Sequence, residues 1–233
     1  GSYLWNVWCN DSVSNSAFNA TNYTINVDTT YPSIDFSTGT EANNTYFNRD
    51  WVYVDVAVTE ANEANVTFYL YNSSSELINQ TILGSGSRNI NFTNLDSNME
   101  YYYNVYARDK ADNVNSTELR KLTLDSTNPS VTLNTPTQDI NWSTAVMTTI
   151  LNATVTDANL RNVIFNVSNS TSYLTYNATF SNNYWLNTSF DTRALAEGQH
   201  NITIYAWDYA SNLNSSESTT FNVDNYGPNI LNL

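Results

Sequence analysis

His200 and Cys9 are the only residues of their types in this chain of 233 residues. A catalytic triad needs a histidine that is oriented toward a nucleophile, and nothing in the sequence marks a serine or Cys9 for that role. Zinc is equally unsuited, because its protein sites draw on several Cys and His ligands. We therefore predict that the chain is not an enzyme and holds no catalytic or cofactor-binding residues. A single cysteine also excludes an internal disulfide.

Carboxylates are the other side chains that could do chemistry. The chain has 22 acidic and 8 basic residues, and its net charge is −14. A surface with this charge repels nucleic acid and anionic membranes, which bind clustered Lys and Arg. No apolar run approaches the roughly 20 residues that span a bilayer. We predict no nucleic-acid partner and no direct membrane insertion in this stretch.

A threefold repeat must position these carboxylates. Each copy has an aromatic strand, a tight loop, a second strand and a closing Asp, followed by a short linker with proline; the copies cover 3–28, 101–125 and 200–224. A period of roughly 100 residues is typical of an array of like domains, each large enough for its own core.

Between these copies, short runs of alternating apolar residues predict about seven strands per period and no helix. This pattern predicts an all-β fold of tandem immunoglobulin-like β-sandwiches, two complete and one partial at each end. The predicted domains are 1–28, the C-terminal hairpin of a partial domain; 29–126 and 127–225, complete domains; and 226–233, the first strand of a further domain. Residues 172–180 are expected to form one strand.

The two single residues are predicted to be structural. Alignment of the copies places Cys9 with two alanines on an inward face, which predicts a buried thiol. His200 aligns with Tyr3 and Tyr101 at the start of a strand, where tyrosine often bonds back to the preceding loop.

The repeats resemble bacterial Ig-like domains of the type strung in tandem on archaeal and bacterial cell-surface proteins. The resemblance is carried by an Asp-x-Ala-x-Asn loop at 109–113 and 208–212, with Val for Ala at 11–15, and by Val/Leu-Asp-x-x-x-Pro linkers at Asp28, Asp125 and Asp224. The segment WCNDSVSN at 8–15 is similar to archaeal surface repeats. The resemblance implies an Ig-like fold on a cell exterior.

The family usually has glycine before the loop asparagine. Here Ser14, Asp112 and Ser211 stand in that position. The conformation of this turn is therefore not given by the resemblance.

In this fold two loops and the incoming linker meet at one end of each domain, which would gather acidic side chains. Oxygen-only ligands suit calcium, which takes six to eight of them, and calcium would neutralise crowded carboxylates and stiffen an interdomain junction. The alternative is that each Asp caps its own turn. The candidate ligands are Asp28, Glu60, Asp109 and Asp112 in the first complete domain and Asp125, Asp157 and Asp208 in the second.

Asn-x-Ser/Thr sequons are dense, and strand alternation places those within strands on the outward face, where an N-linked glycan can be carried. A chain rich in Asn, Ser and Thr also yields sequons by chance. The predicted glycosylation sites are Asn10, Asn19, Asn22, Asn43, Asn65, Asn72, Asn79, Asn91, Asn115, Asn141, Asn152, Asn166, Asn169, Asn177, Asn187, Asn201 and Asn214.

These observations favour a structural extracellular protein, part of a glycosylated tandem array that forms a cell-surface layer, stalk or filament of archaeal origin. The alternatives are an adhesin, whose outward aromatics such as Tyr102, Tyr106 and Trp207 grip carbohydrate or protein, and an accessory region of a secreted hydrolase. Plain strand propensity also accounts for the aromatics.

The expected partners are further repeats of the same chain or further copies of it. A terminal hairpin and a terminal first strand belong to the same kind of sheet. Each end would then be completed by continuation of the chain or by strand addition from another subunit.

Overall fold

The chain is all-β in a computed structural model that describes residues 1–137, 140–143 and 149–224, with the backbone alone described at 140–143. Alternating residues point to opposite faces of each strand, and the predicted tandem Ig-like architecture is confirmed. Described helical structure is confined to one short 3₁₀ turn. The strand predicted at 226–233 lies outside the described residues.

The described chain divides into two compact units, and each is treated separately below. The first comprises 1–45, 51–95 and 100–122, and the second comprises 46–50, 96–99 and 123–233. The domain boundaries at 28, 126 and 225 stay predictions.

Residues 1–28 form a hairpin with two successive antiparallel strand pairs. Its strands are β1 (Ser2–Trp5), β2 (Trp8–Asn10), β3 (Ser16–Phe18) and β4 (Tyr23–Asn26). β1 pairs with β4 and β2 with β3, both antiparallel. Every residue of these strands is exposed.

The prediction that Cys9 is buried is wrong for this structure, in which the thiol is exposed. The reason is that β1–β4 form two two-stranded sheets, and none of their side chains is covered by a second sheet from the described part of the chain. The aligned Ala107 and Ala206 are fully buried, because each lies in a complete set of strands.

The next nine strands build two sheets. They are β5 (Ser33–Phe36), β6 (Thr45–Phe47), β7 (Val52–Thr59), β8 (Glu63–Asn72), β9 (Leu77–Gly84), β10 (Asn89–Phe92), β11 (Met99–Asp109), β12 (Val114–Ser116) and β13 (Arg120–Leu124). One sheet has the order β10-β7-β5 and the other β6-β13-β11-β8-β9, with β12 paired to β11.

Alternation explains which faces these sheets bury. Val52, Val54 and Val56 on β7 are all buried, while the residues between them are partly exposed. Phe36 of one sheet meets Tyr103 of the other edge to face, with ring centroids 5.6 Å apart. Burying aromatic and branched side chains in this way contributes roughly 1.5–3 kcal/mol each.

The second complete set repeats this arrangement. Its elements are β14 (Ser130–Thr135), β15 (Ile140–Ser143), β16 (Thr149–Thr156), β17 (Leu160–Ser168), β18 (Tyr173–Asn177), β19 (Thr179–Ser181), β20 (Tyr184–Phe190), η1 (Thr192–Ala194), β21 (Gly198–Asp208), β22 (Leu213–Asn214) and β23 (Ser218–Asp224). The sheets have the orders β14-β16-β20-β19 and β15-β23-β21-β17-β18, with β22 paired to β21.

The core of this set lies between its two sheets. Phe190 of β20 meets Phe221 of β23 at 6.1 Å and Tyr176 of β18 at 5.1 Å, both nearly perpendicular. Phe165 and Ile204 on the adjacent β17 and β21 are fully buried in the same cluster.

Residues 172–180 form two strands rather than the one predicted. β18 pairs with β17, and β19 pairs with β20, so the chain changes sheets between Asn177 and Thr179. A strand that leaves one sheet for the other forms the corner of a sandwich. Apolar and polar residues alternate without interruption through this segment, so the sequence shows no sign of the corner.

Candidate functional site

In all three predicted loops the aspartate accepts the backbone N–H and the side-chain amide of the loop asparagine. In the middle copy, Asp109 Oδ1 accepts the backbone N–H of Ala111 at 2.8 Å and that of Asn113 at 2.9 Å, and Oδ2 accepts Asn113 Nδ2 at 2.7 Å. Asp11 accepts the equivalent three donors in the hairpin. A short Asp side chain thus closes its own turn.

The residue before the loop asparagine adopts the left-handed conformation although none of the three copies has glycine there. The φ angles are 68° at Ser14, 67° at Asp112 and 70° at Ser211. Non-glycine residues populate this region at a cost, so the Asp-to-Asn bonds across the turn stabilise a strained backbone.

The loop asparagine also binds the linker that precedes its own domain. Asn113 Nδ2 donates to the carbonyl of Asp28 at 3.2 Å, and Asn115 Nδ2 donates to the carbonyl of Pro32 at 3.0 Å. Two amides on β12 and its loop therefore hold both ends of the segment 28–32. We call this pair of contacts the linker clamp.

The second complete set has the same linker clamp. Asn212 Nδ2 donates to the Asp125 carbonyl at 2.9 Å and to Asp208 Oδ2 at 2.6 Å, and Asn214 Nδ2 donates to the Pro129 carbonyl at 2.8 Å. Asn212 is buried here, whereas Asn113 is only half-buried. The second clamp is therefore shielded from water and more costly to break.

The predicted acidic residues meet in two clusters. Asp28, Glu60 and Asp109 each offer one carboxylate oxygen within 4.8 Å of the others, and so do Asp125, Asp157 and Asp208. We call these the first and second acidic clusters. The linker supplies one carboxylate to each cluster, the residue after β7 or β16 supplies the second, and the last residue of β11 or β21 supplies the third.

Asp112 lies outside the first acidic cluster. Its side chain is 80% exposed and pairs with Arg108, whose guanidinium nitrogen lies 3.1 Å from Asp112 Oδ1. The left-handed turn directs it away from Asp109, which is buried. The structure therefore brings together six of the seven predicted ligands.

In each cluster an asparagine side chain donates a hydrogen bond to the linker aspartate. Asn62 Nδ2 donates to Asp28 Oδ2, and Asn159 Nδ2 donates to Asp125 Oδ2, both at 2.7 Å. The Asn62 amide, followed by the Thr30 N–H, lowers the pKa of Asp28 from its ordinary value. Asn62 and Asn159 were not predicted as site residues. Their equivalent positions, each two residues after a cluster carboxylate, are the signal in the sequence that could have identified them.

The second acidic cluster behaves differently. Burial raises the pKa of Asp157, the Asn159 N–H partly opposes this, and the charges of Asp125 and Asp208 raise it further. Both neighbours are buried, and the described part of the chain places no Lys or Arg in an ion pair with the three. A divalent cation would relieve this repulsion.

Carboxylate oxygens are the donors that calcium prefers, so both clusters fit a calcium ion chemically. The same oxygens already accept N–H groups: Asp208 accepts the Asn212 backbone and amide, and Asp125 accepts the Thr127 N–H. Each oxygen has a second lone pair. The carboxylate oxygens therefore cap their own turns and keep lone pairs that could bind a metal ion.

The surroundings of His200 indicate a structural role. It is buried, its Nε2 lies 2.8 Å from the Ala196 carbonyl oxygen, and its ring stacks on Phe221 at 5.6 Å. It bonds back to the preceding loop, as the alignment with tyrosine predicts.

Outward aromatics cluster on the sheet of β8 and β11. Tyr69 stacks on Tyr71 at 6.1 Å and meets Tyr106 edge-on at 5.4 Å. The matching face of the second set carries a smaller pair, Tyr205 and Trp207, stacked at 5.7 Å.

The predicted glycosylation sites are accessible wherever side chains are described. No described sequon asparagine is buried, and Asn91 on β10 is among the exposed ones. Asn115 and Asn214 differ, since their amides belong to the linker clamps. The side chain of Asn141 lies outside the described set.

No protein-family profile matches this chain, and no curated protein matches it. Solved structures do. It is similar to the fibronectin(III)-like modules of CbhA from Clostridium thermocellum, with 14% identity, a TM-score of 0.46, and coverage of 83% of this chain and 95% of that one.

It is also similar to a tetra-tandem repeat in the extending region of a large adhesion protein, with 19% identity and a TM-score of 0.44. A Ca²⁺-stabilised adhesin that helps an Antarctic bacterium bind ice gives 18% identity and a TM-score of 0.37. In both cases 96% of this chain spans 57% of the other. At such identities a role is not transferred, so function must be argued from this chain's own residues.

No helix in the described part of the chain is both long and apolar enough to cross a membrane.

Proposed function

We propose that this chain is a structural extracellular module, a stretch of a glycosylated tandem Ig-like array that forms a cell-surface layer, stalk or filament. The observation that carries the proposal is the repeated linker clamp. Asn113 and Asn115 in one period, and Asn212 and Asn214 in the next, bind the same two carbonyl positions of the incoming linker.

A clamp of this kind suits a load-bearing role. The linker follows the last strand of one copy, and the next copy holds it at both ends. A pulling force along the chain would therefore have to break these side-chain hydrogen bonds before it could detach a strand from a sheet. Such bonds contribute about 1 kcal/mol each in the net, and more where they are buried or charged. The array therefore keeps linkers of fixed length between sandwiches.

Glycans supply the second part of the role. With only 13% charged residues, the exposed surface depends on polar Asn, Ser and Thr for solvation, and attached oligosaccharides are bulky and hydrated. Intact-mass measurement before and after deglycosylation of protein from its source cells is expected to show a large loss. A mass equal to that of the bare polypeptide would contradict this part.

Immunogold electron microscopy of intact source cells tests the location and the assembly together. Antibodies against residues 1–233 are expected to label the outside of unpermeabilised cells in a continuous layer or along filaments. Labelling that appears only after permeabilisation would refute the proposal, and scattered external labelling would refute assembly while leaving the location standing.

We further propose calcium as the stabilising ion of the acidic clusters. The second cluster is favoured, because Asp125 and Asp208 are buried and crowd Asp157 without a described basic partner. Calcium would replace mutual repulsion with shared ligation and hold the linker aspartate against two loops. Asn62 and Asn159 would remain as donors to the outer lone pairs.

Thermal melting in calcium and in EDTA tests this. Calcium is expected to raise the melting temperature, and Asp157→Asn is expected to abolish most of the rise. Asp112→Asn is the matched control, since Asp112 is exposed and lies outside the clusters. If EDTA and calcium give the same melting temperature, the aspartates serve only as turn caps.

The proposed partners are further repeats of the chain or further copies of it. The hairpin of β1–β4 exposes Trp5, Val7 and Ile25, and a two-stranded sheet is marginal by itself. Analytical ultracentrifugation of the 233-residue chain and of a chain lacking 1–27 distinguishes the cases. Self-association that disappears with the hairpin would support subunit completion.

A further inference from the structure

The strand β9 lies at the edge of its sheet, since it pairs with β8 and with no other described strand. It is the longest of the described strands that end a sheet, with eight residues, whereas the next longest, β14, has six and lies between Pro129 and Pro136. An edge strand presents a row of backbone N–H and C=O groups that no neighbouring strand uses. The molecule that fits such a row is another extended peptide chain.

The edge of β9 carries neither of the usual protections. Proteins commonly guard edge strands with charged residues or proline, and the segment Leu77–Gly84 contains neither, although the chain has a net charge of −14. Its exposed side chains include Leu77, Ile78 and Ile82. β9 keeps an unbroken register with β8 from Asn79 to Gly84, and a register irregularity at Ile78 is confined to its start. The edge is therefore regular and apolar enough for a second strand to pair along it.

The sequence of β9 reads almost the same in both directions about Gln80. Three pairs of residues at equal distances from Gln80 match in character: Asn79 with Thr81, Ile78 with Ile82, and Leu77 with Leu83. In an antiparallel pair, residues directly opposite each other point to the same face, with Cβ atoms about 4.5–5.5 Å apart. Two β9 strands paired with Gln80 opposite Gln80 would therefore place isoleucine against isoleucine and leucine against leucine. A two-fold contact between identical chains requires this self-complementarity.

We propose that β9 is a contact between two copies of this chain, which pair their β9 strands antiparallel about a two-fold axis at Gln80. A single strand pair is a small interface, so it is weak between two isolated chains and gains strength where many copies are joined in tandem. In this role the contact rests on the proposed function, because it would join neighbouring arrays side by side. The test uses the purified chain, so its failure leaves the proposed location and the linker clamps untouched.

The predicted glycosylation site Asn79 lies in the middle of this contact. Its side chain would be opposite Thr81 of the second copy, and a bulky oligosaccharide on Asn79 would overlap the incoming strand. β9 is therefore expected to pair only where Asn79 is bare, and attachment of the glycan would determine which edges are free to pair.

Analytical ultracentrifugation of the 233-residue chain, made without glycans in a bacterial cytoplasm, measures the association. The chain is expected to form a reversible dimer over a concentration series. A chain that stays monomeric up to its solubility limit would overturn the proposal.

Two exposed isoleucines separate this contact from any other surface. Ile82→Lys places a charge opposite the apolar Ile78 of the second copy and is expected to weaken dimerisation at least tenfold, although it makes the acidic chain less charged. Ile150→Lys is the matched control, because Ile150 is also exposed but lies on β16, which has a neighbouring strand on each side. It is expected to change the dimer affinity less than twofold. Equal affinity of the wild-type chain and Ile82→Lys would assign the dimer to another surface, such as the terminal hairpin, and overturn the proposal.

Disulfide cross-linking tests the register. In a chain with Cys9→Ala, Gln80→Cys is expected to give a disulfide-linked dimer under mild oxidation, because the two-fold axis places this residue beside its own counterpart. Leu77→Cys is the control, since Leu77 is exposed on the same strand but its counterpart would lie about 20 Å away along the paired strands. Equal cross-linking at both positions, or none with Gln80→Cys, would overturn the antiparallel pairing.

The last arm tests the glycan. Glycosylated wild-type chain and glycosylated Asn79→Gln are compared in the same ultracentrifugation experiment. Dimerisation of Asn79→Gln alone would support both the contact and its control by the glycan, whereas dimerisation of both proteins would support the contact and refute the control. If neither glycosylated protein dimerises, although the bare chain does, other glycans cover β9 in the mature protein and the inference fails.

Discussion

Truncation of the linker clamp in its buried copy, Asn212→Ala, is expected to be the most damaging single change at either junction. It removes the bonds from Asn212 Nδ2 to the Asp125 carbonyl at 2.9 Å and to Asp208 Oδ2 at 2.6 Å, and the bond that Asn212 Oδ1 accepts from Asn48 Nδ2 at 2.5 Å. A bond to a charged group contributes about 1.5–3 kcal/mol and a neutral one about 0.5–1.5 kcal/mol. The free energy of unfolding of this domain should fall by roughly 2.5–6 kcal/mol, the sum of the three.

The comparison variant is Asn113→Ala, which removes the two corresponding Nδ2 bonds from the first clamp. Asp109 is buried like Asp208, but Asn113 and Asp28 are half-buried, whereas Asn212 and Asp125 are buried. We expect a loss of about 1.5–3 kcal/mol for Asn113→Ala, the contribution of the bond to the charged Asp109, because the Asp28 carbonyl regains a hydrogen bond with water.

Native-state hydrogen exchange on the whole chain measures both variants, because it reports opening free energies segment by segment. Peptides from β21 and β23 should lose protection in Asn212→Ala, and peptides from β8 and β11 should lose less in Asn113→Ala. Equal losses in the two variants would refute the argument that the buried linker carbonyl and the Asn48 bond make the second clamp the stronger one. A loss below about 0.5 kcal/mol in Asn212→Ala, the size of an ordinary surface change, would refute the clamp itself.

Three further results are expected. Ser211→Gly relieves the left-handed strain at φ 70° and should raise the free energy of unfolding by about 0.5–1 kcal/mol in urea titrations; no change or a loss would mean that the turn is unstrained. The pKa of Asp157 is raised in the folded protein, so the folded state binds more protons than the unfolded state, and the free energy of unfolding should fall as pH rises through and above the ordinary Asp range. Asp157→Asn should remove that part of the pH dependence in urea titrations without calcium. An unchanged pH profile in the variant would contradict this reasoning. Site-resolved glycopeptide mass spectrometry should find Asn91 modified more fully than Asn115 and Asn214, whose Nδ2 atoms bind linker carbonyls; equal occupancy would show that the clamps tolerate glycans.

Periodicity in the sequence predicted the sheets well, because alternation reports which face is buried. The run of Val52, Val54 and Val56 is an example, and its side chains are all buried. Four short strands, β6, β12, β15 and β22, were not predicted. A strand of two to four residues offers too few alternations to be recognised, and tertiary pairing determines it.

The acidic clusters were predicted from the loop positions of the fold, and six of the seven residues do meet. Asp112 does not, because a left-handed residue within the turn reverses the direction of the side chain. The clamp donors could not be assigned from sequence, because the sequence pattern does not distinguish Asn113 and Asn115 from asparagines that face water.

Each linker clamp closes within a single period, joining residues 85 positions apart in one copy and 87 in the next. A copy therefore carries both amide donors that bind its incoming linker, and Asn212 of the second clamp also accepts Asn48 Nδ2 from the preceding period. Unequal recombination between two such gene segments would insert or delete one whole period while leaving every clamp with its partner. A change in the number of periods would therefore keep the amide-to-linker bonds of each clamp without a compensating substitution.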